Sequence, residues 1–298
     1  MKVLFCHDPL ADKQADARFI HEAQAAASIG LDHHLLDYEA LEKGNVARAV
    51  RHVPSHKEET LAIYRGWVTS SRNYDLLYEA LLSRGLRLIN TPDDYYHTLN
   101  LPESLNILGE RTPRTVWFRT DGNISYPTVM SLLLPFNGRP IIMRDFIRSQ
   151  KHYWKEACYI GASSDRALVE ATVKRFIGLQ GHVNGGLVFR EFVDLMPLDD
   201  SASSDVPHSL EYRLMVLDGE VIATLRYWDE GYTGAPPPLT EFADIASQIK
   251  SRFFTMDIAQ RTDGSWIIID IGDAQVASLL AHEDAKALYK AIVSHLSL

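Results

Sequence analysis

Cysteine is nearly absent from this chain: Cys6 and Cys158 are the only two in 298 residues. Two thiols cannot build a disulfide framework, and without a CxxC pair they offer no zinc knuckle. They fit a reducing compartment, so a cytoplasmic protein is expected. Long hydrophobic runs are missing as well. No stretch approaches the ~18 consecutive apolar residues of a membrane-spanning helix. The short apolar run near Met1 is too brief for a signal peptide. Positive charge is in deficit, with 30 Lys and Arg against 39 Asp and Glu and a net charge of −9. That balance argues against nucleic acid and against an anionic membrane surface as partners. Two common catalytic signatures are also absent: a GxxxxGK[ST] phosphate loop and a GxSxG elbow.

The length favours two domains over one. The first part alternates strand and helix. Lys2–Cys6, His33–Leu36, Leu61–Tyr64 and Leu86–Asn90 read as strands. Asp16–Ile29 and Tyr74–Arg84 have helical apolar spacing, each followed by a glycine. Strands separated by helices imply parallel βαβ units, hence a small open α/β domain over residues 1–105. Residues 106–298 read instead as antiparallel hairpins plus helices, an α+β unit. Asp218-Gly219 between two apolar strands is its clearest hairpin turn. The segments Leu198–Pro207 and Asp229–Pro238 read as loops.

Five places could carry chemistry. In Phe253–Val276 two strands are joined by a turn, the first bearing Asp257 and the second ending in Asp270, with Asp273 close behind. Carboxylates on paired strands stand about 5 Å apart and repel unless a cation joins them. Mg²⁺ suits such a set, since it takes hard oxygens from one or two carboxylates plus phosphates. The plainer alternative is a turn-capping Asp273 and an exposed Asp257. Arg144–Lys155 is a strand end followed by a basic turn with Arg148, Lys151 and Lys155. Such a turn could cover a polyphosphate or be a solvated loop. Glu191, Phe192 and Val193 follow an apolar strand and form either a hinge that meets an adenine edge or an ordinary strand end. Arg213 and Arg226 sit on neighbouring strands and could reach a phosphate or pair with local acids. Arg65 and Trp67 follow a strand of the first domain, where open α/β sheets bind ligands. Arg65 could equally be structural, with Trp67 packing an interface.

In this order, YRGW (64–67), RDFIRSQKHYWKEACYI (144–160), GGLVFREFV (185–193), EYRLMVLDG (211–219) and the acidic hairpin (256–276) resemble the ATP-grasp superfamily. More narrowly they resemble its bacterial and viral clade named for an arginine and two lysines, whose members are predicted peptide ligases. The resemblance covers nearly the whole chain. It implies a small pre-ATP-grasp domain followed by a two-lobed ATP-grasp fold, with lobes over 106–190 and 195–298 and a hinge at 190–194. It also implies ATP and Mg²⁺ as cofactors. Arg144, Lys151 and Arg213 would meet phosphates, Glu191, Phe192 and Val193 adenine, and Asp257, Asp270 and Asp273 the metal. Arg226 would approach the reacting phosphate together with Arg144, and Arg65 and Trp67 would lie toward a substrate. Two residues depart from the pattern: Arg144 stands where lysine is expected, and Asp270 where glutamate is.

The expected activity is ADP-forming ligation of a small-molecule or peptide carboxylate to an amine through an acyl-phosphate. A transferase or nucleic-acid-ligase-like use of the same ATP site, and a scaffold weakened in catalysis, are the alternatives. A homodimer is compatible with all three.

Overall fold

The computed structural model describes residues 1–198, 207–228, 236–279 and 284–296. The chain opens with β1 (Lys2–Asp8), β2 (Ala11–Ala15), α1 (Ile20–Ser28), β3 (His33–Leu36), α2 (Tyr38–Glu42) and α3 (Val46–Ala49). β4 (Thr60–Arg65), α4 (Ser71–Leu82) and β5 (Leu86–Leu88) complete the first sheet. β1 pairs in parallel with β3 and β4, and β4 with β5. Val3 to Cys6 are buried on both faces, which is why β1 reads as an uninterrupted apolar run. Helices α2 and α4 are each started by a side chain: Asp37 accepts from Ala40 N at 2.9 Å and Ser70 from Asn73 N at 3.2 Å.

One expectation is corrected here. The helix anticipated from Asp16 begins only at Ile20, because Asp16 turns the chain by accepting from Arg18 N at 2.9 Å. The preceding strand β2 escaped the apolar pattern because, of its residues, only Ala15 is buried.

α5 (Pro92–Leu99) and α6 (Leu101–Leu108) lead out of this domain. Thr91 and Asp94 form a reciprocal capping box on α5. Then come β6 (Thr115–Arg119), α7 (Tyr126–Leu132), β7 (Ile141–Asp145), β8 (Tyr159–Ile160), α8 (Arg166–Gln180) and β9 (Gly186–Glu191). Their sheet is antiparallel in the order β6-β9-β7-β8. α8 buries Val169, Val173 and Phe176 against Met143, Leu187 and Phe189 of that sheet.

The second antiparallel sheet, in the order β11-β10-β12-β13, is built from β10 (Glu211–Leu217), β11 (Glu220–Arg226), β12 (Phe253–Gln260) and β13 (Trp266–Asp273). α9 (Ala243–Ala246) lies between the two hairpins in sequence, and α10 (Asp284–His295) follows them. The Asp218-Gly219 turn has φ +50° and +83°, as a two-residue hairpin of this twist requires. One face of the sheet packs on Phe242, Ile245 and Ile249. The other shares a core with the first domain through Met215, Leu217, Phe253 and, on α10, Leu288 and Tyr289. Among the described residues, no helix is long and apolar enough to cross a membrane.

Candidate functional site

A cavity of about 530 Å³ is lined by residues of both antiparallel sheets, within the range of small-molecule sites. The first sheet contributes Met143 and Arg144 from β7 and Arg190 and Glu191 from β9. The second contributes Asp257 from β12 and Asp270 from β13.

The register of the acidic hairpin decides which carboxylates meet. Asp257 stands opposite Asp270, and Ile258 opposite Ile268, which leaves Ile269 as the extra residue of a bulge. Both acids therefore face the cavity. Asp273 does not. Three residues beyond Asp270, it falls on the opposite face of the pleat. Its carboxylate accepts from Asn90 Nδ2 at 2.6 Å and from Gln275 N at 2.9 Å, in a buried contact with the first domain. The expectation of three clustered carboxylates is thus corrected to two. Among the described residues, no three His, Cys, Asp or Glu side chains form a metal-binding group.

Each of the two acids holds a guanidinium. Arg213 donates to both oxygens of Asp257, at 2.8 and 2.7 Å. Arg144 Nη1 reaches Asp270 Oδ2 at 2.6 Å across the two lobes. Burial disfavours the charge on both arginines, but the adjacent carboxylates outweigh it and their pKa values rise. Arg190, near the end of the apolar strand β9, is buried too. It donates to Thr112 Oγ1 at 2.6 Å, to Thr115 Oγ1 at 3.2 Å and to the Ile269 carbonyl. Burial pushes its pKa down to about 10, with Asp270 opposing and Arg144 reinforcing that shift. The signal for it was an arginine alternating with apolar residues inside a strand, where a charge needs a reason.

Glu191, Phe192 and Val193, which the sequence offers as a hinge, line the same cavity. Glu191 is paired with Arg139 at 2.5 Å, so its carboxylate is not idle. Glu191 N donates to Arg114 O at 2.8 Å and Phe192 N to Pro140 O at 3.1 Å. Phe192 meets Tyr159 edge-on, with centroids 5.1 Å apart, and Trp154 at 6.3 Å, giving the cavity an aromatic wall.

The basic turn is helical: a turn at Lys151–Tyr153 runs into a wide turn at Trp154–Cys158. Of Lys151 only the backbone lies within the described structure. Asp145, also unforeseen, organises the start of this segment. Its buried carboxylate accepts from Ile147 N at 2.8 Å, Arg148 N at 2.6 Å and Asn184 N at 3.0 Å.

Three expected residues lie elsewhere. Arg226 is exposed at the end of β11, opposite Tyr212, while its neighbour Leu225 stands opposite Arg213. Adjacent strand residues face opposite ways, so Arg226 is turned from the Asp257 side and does not line the cavity. Arg65 is 1% exposed, its guanidinium held by both oxygens of Glu22 at 2.8 and 2.9 Å and by the Ala274 carbonyl. Its guanidinium is bonded within the protein, and Arg65 does not line the cavity. Trp67 donates to Asp16 at 3.2 Å and packs edge-on against Phe19, also away from the cavity. The loops expected at 198–207 and 229–238 fall largely outside the described residues.

The donor set fits a metal–polyphosphate. Two hard-oxygen carboxylates side by side suit Mg²⁺ when phosphates supply further ligands. Three guanidinium groups around them suit phosphate oxygens. The aromatic wall beside the hinge suits a planar base.

Residues 135–292 match the family model described as ATP-grasp domain, R2K clade family 3. Among solved structures, the chain is similar to the D-cycloserine synthetase DcsG, with TM-score 0.62, 15% identity and 99% and 100% of the two chains covered. It is similar to a RimK domain ATP-grasp protein from Sphaerobacter thermophilus, with TM-score 0.60, 17% identity and coverage of 98% and 99%. It is also similar to the ATP-grasp ligase PsnB, whose structure holds a precursor variant, Mg and ADP, with TM-score 0.57, 12% identity and coverage of 99% and 97%. No curated protein gives a sequence match.

Proposed function

The chain belongs to family 3 of the R2K clade of ATP-grasp domains, and on that premise we propose that it is an ATP- and Mg²⁺-dependent ligase. It joins a carboxylate to an amine and releases ADP and phosphate. The observation that carries this reading is the pairing of Asp257 with Asp270 in one cavity, each beside an arginine, below an aromatic wall. PsnB, a similar fold, is a ligase with Mg and ADP in its structure, which supports the same use here and favours a peptide or peptide-like acceptor.

Asp257 and Asp270 would hold the metal. Bound Mg²⁺ offsets phosphate charge and orients the terminal phosphoryl group for attack by a carboxylate. Arg144 is the penultimate residue of β7 at the cavity wall, where its planar fork would grip phosphate oxygens in place of the expected lysine. To do so it must leave Asp270, which frees that carboxylate for the cation. The exchange keeps every charge paired, so it avoids the penalty of a bare buried ion. Arg213 fixes both oxygens of Asp257 and so sets the orientation of that carboxylate. Trp154 and Phe192, with Tyr159 packed behind Phe192, would stack the base and exclude water. Val193 N–H donates to no backbone carbonyl among the described residues and remains available to a purine nitrogen.

Hydroxylamine replaces the unknown amine in the test. The enzyme is incubated with ATP, Mg²⁺ and a panel of carboxylic acids and peptides, and hydroxamate and ADP are measured. Equal amounts of both, lost in Asp270→Asn, are expected. AMP in place of ADP, or unchanged turnover in that variant, contradicts the proposal.

A further inference from the structure

Three guanidinium groups at this cavity share two carboxylates. Asp257 is filled by Arg213, which takes both of its oxygens. Asp270 receives Arg144 at 2.6 Å. Arg190 is 3% exposed and lines the cavity, yet its three hydrogen bonds go to two threonine hydroxyls and a carbonyl. Among the described residues it forms no ion pair, and the carboxylate acting on it most strongly is Asp270, which Arg144 already occupies.

A charge taken out of water costs several kcal/mol unless an opposite charge meets it. Neutral oxygens recover part of that cost. A purely structural role as a strand tie could be filled by a neutral side chain of similar length. The chain keeps a full positive charge at the wall where an anion is to bind, which a tie does not need.

We propose that Arg190 is a phosphate-binding residue whose unbalanced charge is completed by the polyphosphate entering the cavity. The inference rests on the nucleotide reading above and adds a residue to it. Arg190 also donates to the carbonyl of Ile269, next to Asp270. Its guanidinium therefore stands beside the carboxylate assigned to the metal, where the phosphates must come.

The test compares wild type, Arg190→Gln and Arg190→Lys by thermal shift and calorimetry, with adenosine, a non-hydrolysable ATP analogue and inorganic tripolyphosphate as probes. Gln keeps hydrogen-bond donors and removes the charge. Without ligand, Arg190→Gln is expected to melt at or above the wild-type temperature. It should lose the tripolyphosphate shift and bind the ATP analogue about tenfold or more weakly, the scale of a lost charge-assisted hydrogen bond. Adenosine affinity should not change, and Arg190→Lys should recover part of the analogue affinity. Equal losses for adenosine and analogue, or a lowered ligand-free melting temperature with normal tripolyphosphate binding, overturn the inference and leave Arg190 a strand tie. If wild type binds neither adenosine nor the analogue, the nucleotide reading itself fails, and this inference with it.

Discussion

At the scale of single residues, Asp273 shows how little the identity of a side chain says without its register. It lies near Asp270 in sequence, yet it is 1% exposed and bonded to Asn90 in another domain. Burial pushes its carboxyl up to about 7 from the ordinary 3.8, with the hydrogen bonds from Asn90 and Gln275 opposing. The folded protein therefore keeps a proton that the unfolded chain releases. Stability from this group is full below pH 3.8 and is lost as the pH rises through about 7. The melting temperature is thus expected to fall between about pH 4 and pH 7, and Asp273→Asn should flatten the fall. A slope identical in wild type and variant, measured by calorimetry, refutes the assignment. That Asp257 and Asp270 belong to one hairpin was legible, but they share a face only through the bulge at Ile269. The fate of Asp273, Arg226 and Arg65 was not legible, because it depends on strands brought together from distant parts of the chain. Arg65 and Glu22 are 43 residues apart. Arg190 was readable as a charge inside an apolar strand, but only the structure shows that its partners are neutral.

At the scale of elements, the sequence signals that worked were local ones. The Asp218-Gly219 turn and the uninterrupted apolar run of β1 each use residues within a few positions of one another. Gly219, at φ +83°, should resist substitution. Gly219→Ala is expected to cost about 1 kcal/mol in urea unfolding, the usual penalty of a left-handed backbone with a side chain. A variant as stable as wild type contradicts the turn assignment. β2 and the helical form of the basic turn were missed for the opposite reason. β2 is fixed by pairing at the end of β1, and the basic turn by the Asp145 carboxylate, neither of which leaves a periodic apolar trace.

At the scale of the whole molecule, the first domain is fastened to the acidic hairpin. Asn90 donates to Phe253 O at 2.6 Å and accepts from Phe253 N at 2.8 Å, and the Gln275 side chain accepts from Tyr64 N at 3.2 Å. Arg65, Glu22 and Tyr289 close the same seam, with Tyr289 donating to Glu22 at 3.1 Å. Removing one partner of a buried pair leaves the other charge stranded, a loss of about 3–5 kcal/mol. Glu22→Gln should therefore lower global stability by that order, as read from denaturant unfolding. A change within error places the pair outside the stability-determining core. The seam holds the strands that carry Asp257 and Asp270, so the site is a property of both antiparallel lobes and of the domain behind them.

The claim at the centre of this account is that those two carboxylates form the metal end of a nucleotide site. Calorimetric titration of a non-hydrolysable ATP analogue, with and without Mg²⁺, into wild type and Asp270→Asn tests it most directly. Wild type should bind the analogue more tightly with Mg²⁺, and the variant should lose that dependence while still binding adenosine. Binding to wild type that is indifferent to Mg²⁺, or a variant that keeps the full Mg²⁺ effect, contradicts it.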